Sequence, residues 1–174
     1  GVYYKHRTYK ANYGYLDDFV GDVEEYGGFN IHYDFDSTFV VGGSGEQMAT
    51  GEYRYNGYVN HPWVNASYTT ADYKNGMKHR FFYGNHAYWI NDFNTTQVNE
   101  IKANLNVRLK SFLLKPKINL THLDNYIYYD TTGLPQQSSD ITLLSYGNDL
   151  HFTFFNKFHI KNEVLFTNVS GTSS

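Results

Sequence analysis

The chain has 174 residues, room for one domain with a core of its own. Its 14 Lys or Arg against 17 Asp or Glu leave a formal charge of −3, which gives no warrant for nucleic-acid binding. The absence of cysteine excludes disulfide scaffolds, Cys-based zinc sites and thiol catalysis. Tyr (18) and Phe (13) bring the aromatic share to 19% although mean hydropathy is negative, a Tyr-, Phe- and Gly-rich makeup that points to an all-β chain. No apolar run exceeds four residues (Ala87–Ile90, Tyr126–Tyr129), so no helix can cross a bilayer, which needs about 20. Strands could still do so.

Residues 2–16 alternate Tyr3, Tyr9, Tyr13 and Tyr15 with His6, Thr8, Lys10 and Asn12, and predict a first strand over 3–16. The acidic stretch 17–25 breaks it. Its carboxylates, Asp17, Asp18, Asp22, Glu24 and Glu25, lack the order of an EF-hand loop and read as a solvated loop. Gly27 and Gly28 lead into a strand over 26–35, with Phe29, Ile31, Tyr33 and Phe35 on one face and Asn30, His32 and Asp34 on the other, closed by a tight turn at Asp36 and Ser37. Residues 38–59 are interrupted by Gly42, Gly43, Ser44 and Gly45, and are read here as one long strand bent at a glycine bulge. Strands over 63–74, 78–93, 98–110, 114–129, 141–155 and 158–168 complete a set of nine. On that division the long insertions 17–25 and 130–140 share one end of an up-and-down meander. The tight turns 36–37, 75–77, 111–113 and 156–157 share the other, which is the asymmetry of outer-membrane barrels.

The clearest pattern lies in the 98–121 hairpin. Glu100, Lys102, Asn104, Asn106, Arg108 and Lys110 alternate strictly with Ile101, Ala103, Leu105, Val107 and Leu109; then Lys115, Lys117, Asn119 and Thr121 alternate with Leu114, Pro116, Ile118 and Leu120. Periodicity alone leaves a soluble core and a bilayer equally open as the neighbour of the apolar face. Strands of 10 to 22 residues on this reading exceed the roughly 9–11 needed to cross a membrane. Aromatics also gather at strand ends, with Phe93, Phe112, Phe155 and Phe158 beside connections and Tyr126, Tyr128 and Tyr129 before the long loop. A lipid-facing Lys or Arg near the midplane costs roughly 2–4 kcal/mol, so Glu100, Lys102, Asn104, Asn106, Arg108, Lys110, Lys115 and Lys117 are candidate lumen-facing residues. Ile101, Ala103, Leu105, Val107 and Leu109 are candidate lipid-facing residues.

Specific segments resemble a known family. Residues 84–93, GNHAYWINDF, resemble the "NHF-R-W-x-N-x-F" strand of the putative porin family of Bacteroidota outer membranes. Residues 123–129, LDNYIYY, followed by Pro135 and Gln137, are similar to its "L-x-N-Y-I-Y-F … P-x-Q" strand and loop. Gly51-Glu52-Tyr53 resembles its "G-D-Y" strand start, and residues 156–163 its "L-G-K-F-H-L-x-N" strand. Ala87-Tyr88 departs from the usual Phe-Arg, and the aromatic-Gln element expected after Val164 is missing. None of these motifs is catalytic. The resemblance implies an antiparallel up-and-down transmembrane β-barrel in the cell outer membrane, of which these residues form about nine strands of a larger whole in one domain. It also implies contact with outer-membrane lipid and lipopolysaccharide, and with other outer-membrane or periplasmic proteins.

Eight histidines are scattered without metal-ligand spacing, Gly42–Glu46 lacks the glycine that a nucleophile elbow needs at Glu46, and no constellation supports an enzyme or a cofactor. Three functions follow: a porin-like passive channel for ions or small solutes, a docking barrel that binds a partner without conducting, and a soluble all-β ligand-binding module.

Overall fold

The computed structural model describes residues 1–12, 19–83, 88–155 and 157–171. In chain order the elements are β1 (Val2–Asn12), β2 (Phe19–Asp34), β3 (Val40–Met48), β4 (Tyr53–Asn60), β5 (Val64–Tyr73), one helical turn α1 (Met77–Arg80), β6 (Phe81–Tyr83) and β7 (Tyr88–Ile90). They continue with β8 (Thr96–Leu105), β9 (Val107–Leu109), β10 (Phe112–Asp124), β11 (Ile127–Tyr129), β12 (Pro135–Gln137), β13 (Asp140–Phe154) and β14 (Phe158–Gly171). The fold is the expected all-β, antiparallel, up-and-down meander. One sheet runs β1-β2-β3-β4-β5-β8-β10-β13-β14, and β9 continues β8 alongside β10. The edges are β1 and β14.

The pause between β8 and β9 at Asn106 lies beside Pro116, which has no N–H to give to a ladder. The register is the same on both sides of it: Lys117 faces Asn104 and Leu114 faces Val107. The backbone N–H of Asn106 bonds instead to the Trp63 carbonyl at 2.8 Å.

Several sequence-based boundaries are corrected. Residues 38–59 are two strands, β3 and β4, paired antiparallel with Gln47 opposite Tyr53 and Val40 opposite Asn60. The reversal at 49–52 is set by Gly51 at φ +108°, whose N–H bonds to the Met48 carbonyl. The acidic stretch is not a loop from Phe19 onward: it is the start of β2, with Glu24 opposite Arg7 and Glu25 opposite His6. Being neighbours on a strand, Glu24 and Glu25 point to opposite faces and cannot converge on a cation. The outer part of the first strand (13–16), Asp17 and Asp18 lie outside the described residues.

The described residues of 78–93 contribute no strand to the large sheet. They hold α1 and the small hairpin β6-β7, while the Gly84–Ala87 part of the family-like motif lies outside the described residues. The strand expected over 114–129 ends at Asp124, where Asn125 turns the chain at φ +56°, and the hairpin β11-β12 follows. The turn expected at 111–113 falls at Lys110 and Ser111, with Leu109 opposite Phe112. Dividing 38–59 adds one sheet strand and removing 78–93 takes one away, so nine remain; the turns after β2, β9 and β13 keep their expected end, but 75–77 opens an excursion at the opposite end, where the short reversal 49–52 also lies. Residues 35–39, 61–63, 110–111 and 155–157 connect strands at one end, and the excursions 74–95 and 125–139 leave from the other.

The glycine run is not a bulge. Register is unbroken through β2, β3 and β4, and the glycines seat aromatic rings from the facing strands. A Cβ on Gly42 would lie 2.4 Å from the ring of Tyr58, directly opposite; one on Gly45 would lie 2.5 Å from Phe29 and 2.7 Å from Tyr55, its partners on either side. Gly28 makes the same room for Tyr3. Gly45→Val should therefore lower stability by about 1–3 kcal/mol, the range for overpacking, whereas Gly57→Ala, with open space around its Cβ position, should change little. Denaturant midpoints of the two variants against the parent check both.

Candidate functional site

An unslipped register sorts the side chains of the ladder onto two faces. One face carries Val64, Ala66 and Tyr68 from β5, Ile101, Ala103, Leu105, Val107 and Leu109 from β8 and β9, and Leu114, Pro116, Ile118 and Leu120 from β10. It continues through Leu144, Tyr146, Leu150 and Phe152 of β13 to Ile160, Val164 and Phe166 of β14, with Asn148 and Asn162 as polar members. This apolar face is open: Ile101 is 49% exposed, Leu105 48%, Leu109 63% and Ile118 48%. Among the described residues the buried apolar side chains are Met48, Ala71 and Ile127, and no large side chain is fully buried. A soluble sandwich of this length would bury a second layer against that face.

The apolar face stops in one direction. Toward the long-loop end it gives way to Asn99, Thr70, His122 and Thr142, and then to Gln97, Asp72, Asp124 and Asp140. Tyr68 and Tyr55 stand at this border with their hydroxyls turned to the wet side, donating to Asn99 Oδ1 and Gln47 Oε1 at 3.0 Å each. At the short-turn end rings cluster: Tyr33, Phe35 and Phe39 at centroid spacings of 4.7 and 4.8 Å, and Phe112 edge-on to Phe152 at 6.3 Å, with Phe154 beyond it at 4.1 Å. From Ile101 to Leu109 the chain rises eight steps, about 26 Å at about 3.3 Å each, or about 20 Å of height at a strand tilt of about 40°.

The opposite face carries most of the charged ladder side chains, interspersed with Val98, Leu113, Leu123, Leu143 and Leu165. The register puts Glu100, Lys102 and Asn104 of β8, Arg108 of β9, and Lys115 and Lys117 of β10 on it together, with Asn106 between them. Lys110 stands apart from this set, in the two-residue turn at φ +40°. Lys102 bonds to Glu100 at 2.7 Å, and Lys117 is held by Asp149 at 2.8 Å and by Glu163. The same face continues into residues that the reading of the hairpin missed. On β1–β4, Lys5 pairs with Glu46 at 3.0 Å, the Tyr3 hydroxyl donates to the same carboxylate at 2.6 Å, and Lys5 and Arg7 lie over the Tyr26 ring. Asp149, His151, Lys161 and Glu163 extend it over β13 and β14. The signal for these was available only as parity, because each sits an even number of ladder positions from Lys117 or from its partner.

The sequence model of one protein family, described as putative porin, matches residues 2–174. The chain belongs to that family. No curated protein and no solved structure matches it.

In this porin-family chain the family-like motifs outside the ladder knit two excursions into one unit. Gln137 of β12 donates to the carbonyls of Asn94 at 2.8 Å and Asn125 at 3.0 Å, and its Oε1 accepts from the Asn94 N–H. Thr96 donates to Asn75 Oδ1 at 3.1 Å and to the Asn125 carbonyl at 2.9 Å, and Asn125 donates back to the Thr95 carbonyl. Trp89 stacks on Phe82 at 4.5 Å and meets Tyr129 edge-on at 6.3 Å. Asn75 and Ser138 are buried in this junction. Among the described residues no group of three or more His, Asp or Glu is placed to hold a metal.

At the tip of β11-β12, Asp130 accepts from the Thr132 hydroxyl at 2.6 Å, the Leu134 N–H at 3.0 Å and the Gln136 amide at 3.0 Å. Those donors, Thr132 foremost, hold its carboxyl down to about 2 from 3.8. A carboxyl lowered in the folded loop stabilises it fully above about 3.8 and loses that contribution as pH falls through about 2. Amide exchange of residues 130–136 should therefore stay flat from pH 7 to 4, once corrected for intrinsic rates, and rise below that. In Asp130→Ala it should be raised throughout.

Proposed function

We propose that this chain is part of an outer-membrane β-barrel that works as a passive channel for ions or small solutes. The observation that carries the reading is a single-layer antiparallel meander with one open apolar face and one charged face. Water on both sides would leave the apolar face uncovered; lipid on one side suits it, because hydrocarbon requires every backbone group to be paired within a sheet. Membership of a porin family and the division into short turns and long excursions support the same reading. The motifs at 84–93 and 123–137 further support a Bacteroidota source. On this proposal Ile101, Ala103, Leu105, Val107 and Leu109 face lipid, and Glu100, Lys102, Asn104, Asn106, Arg108, Lys115 and Lys117 line the lumen, with Lys110 at its short-turn mouth. Lipid and lipopolysaccharide are the surrounding partners, and the chemistry is transport rather than catalysis.

A docking barrel is the second reading, favoured by the knitted hairpins, which present Tyr88, Ile90, Tyr129 and Leu134 at the surface. Planar-bilayer recording of the full-length protein separates the two. Stepwise conductance supports the channel, and a silent protein that co-purifies with a partner supports docking. Face assignment has its own check. Leu105→Arg should destabilise the barrel by roughly 2–4 kcal/mol if that position lies near the midplane, while Asn104→Arg, one residue away on the other face, should fold like the parent. Equal penalties would overturn the assignment.

A further inference from the structure

The charges on the polar face are not evenly matched. Along β1–β4 they are compensated within reach of one another, as in Lys5 with Glu46 and Arg7 beside Tyr26, itself bonded to Glu24. Near the short-turn end of β8–β14 they are not. Arg108, Lys110, Lys115, Lys117 and Lys161 gather there against two carboxylates, Asp149 and Glu163, in a chain whose overall charge is −3. Register sets Lys115 directly opposite Asp149, yet both carboxylates are engaged by Lys117. Among the described residues Arg108, Lys110, Lys115 and Lys161 are then left without an ion-pair partner. Two other described acids stand at this end, both over β2: Asp34, on the same face at its last ladder position and four strands, about 19 Å, from Arg108, and Asp36, in the β2–β3 turn with its carboxylate taken by Thr38 and Phe39.

Hollows on the face fit this field. One of about 490 Å³ is lined by Pro62, Trp63, Asn106, Arg108, Leu113 and Lys115; a second, of about 340 Å³, lies toward the turn between Arg108, Lys110 and His151. Arg108 and Lys115 are diagonal neighbours on adjacent strands, about 7–8 Å apart and inside a Debye length of about 8–10 Å, so their potentials add; Lys161, two strands from Lys115 at about 10 Å across the ladder, lies at the edge of that range. Low-dielectric walls would focus that potential into the opening. The guanidinium of Arg108 offers a fork that matches carboxylate or phosphate oxygens, and Lys115 beside it offers a point charge.

We infer that the short-turn end of the polar face is an anion-collecting mouth, in which Arg108, Lys110, Lys115 and Lys161 draw in small solutes bearing phosphate or carboxylate groups. This rests on the channel reading and adds a sign and a place to it.

Reversal potentials of the full-length protein in planar bilayers under a KCl gradient test it, with pyrophosphate as the probe on either side. Chloride should be preferred to potassium, and pyrophosphate should reduce the chloride current more strongly from the short-turn side. The combined Arg108→Gln, Lys115→Gln and Lys161→Gln variant should lower the chloride-to-potassium permeability ratio about threefold or more. The charge-preserving Arg108→Lys, Lys115→Arg and Lys161→Arg variant should keep it. The parent protein decides the sign without any variant. A conducting protein that prefers potassium or discriminates against neither ion overturns the inference and leaves the channel reading standing; a protein that never conducts overturns both.

Discussion

A register that never slips ties each ladder side chain to one face or the other. In every adjacent strand pair, from Val2 opposite Phe29 to Phe154 opposite Phe158, each step along one strand is matched by one step back along its neighbour, with no extra residue on either side. A one-residue slip anywhere would carry Lys117 to the face of Ile118 and reverse the character of every strand beyond it. The single layer makes that constraint severe, because no second sheet stands by to bury a misplaced leucine or neutralise a misplaced lysine. Even Pro116, which removes a ladder donor from the interior of β10, leaves the count untouched. The ladder closes over the gap at Asn106, whose own N–H bonds to Trp63 on the far side.

Glycine supplies the freedom this rigidity lacks. β3 is poor in bulky side chains, and Gly42 and Gly45 there, with Gly28 of β2, let Tyr58, Tyr55, Phe29 and Tyr3 lie down across the neighbouring strand. Ring area thereby replaces side-chain interdigitation as the material covering the backbone. The same feature explains what was legible in the sequence and what was not. The alternation of residues 100–109 is carried by Ile, Leu and Val against Lys, Glu and Asn, and both faces follow from it directly. In 38–59 the pattern thins to Gly and Ser, so the reversal at Gly51 was hidden and two strands read as one. The excursion 74–95 failed in the opposite sense: residues 88–93 alternate like a ladder strand but pair only within a small hairpin, which local spacing cannot reveal. Those two misreadings offset each other in the strand count, and the turns after β9 and β13 keep their expected end for that reason.

The family-like motifs divide by position rather than by chemistry. Asn125, Pro135 and Gln137 lie outside the ladder, in a junction where backbone carbonyls of one excursion are satisfied by side-chain amides of the other. Excursions that long, beyond the sheet and without a core of their own, would leave many backbone groups to water. Gln137, with donor and acceptor on one amide, satisfies both partners of Asn94 and fixes the separation of the two hairpins.

Charge supplies the last constraint, and it acts along the strands where register acts across them. The carboxylates of Glu25, Asp72, Asp124, Asp130 and Asp140 stand at the long-loop end or beyond it, while Arg108, Lys110, Lys115 and Lys161 stand at the other. A net charge of −3 is therefore the small difference of two opposed fields, and it describes neither end of the molecule. In the aqueous space beside a low-dielectric wall such fields reach only about a Debye length, so the two ends act on what approaches them separately. An ion entering from the short-turn side over β8–β14 meets the basic cluster there, while Asp34 stands four strands away on β2. Lys117 bridges Asp149 and Glu163 and offsets one of their two charges, so five cations against two carboxylates leave the cluster over β8–β14 at +3.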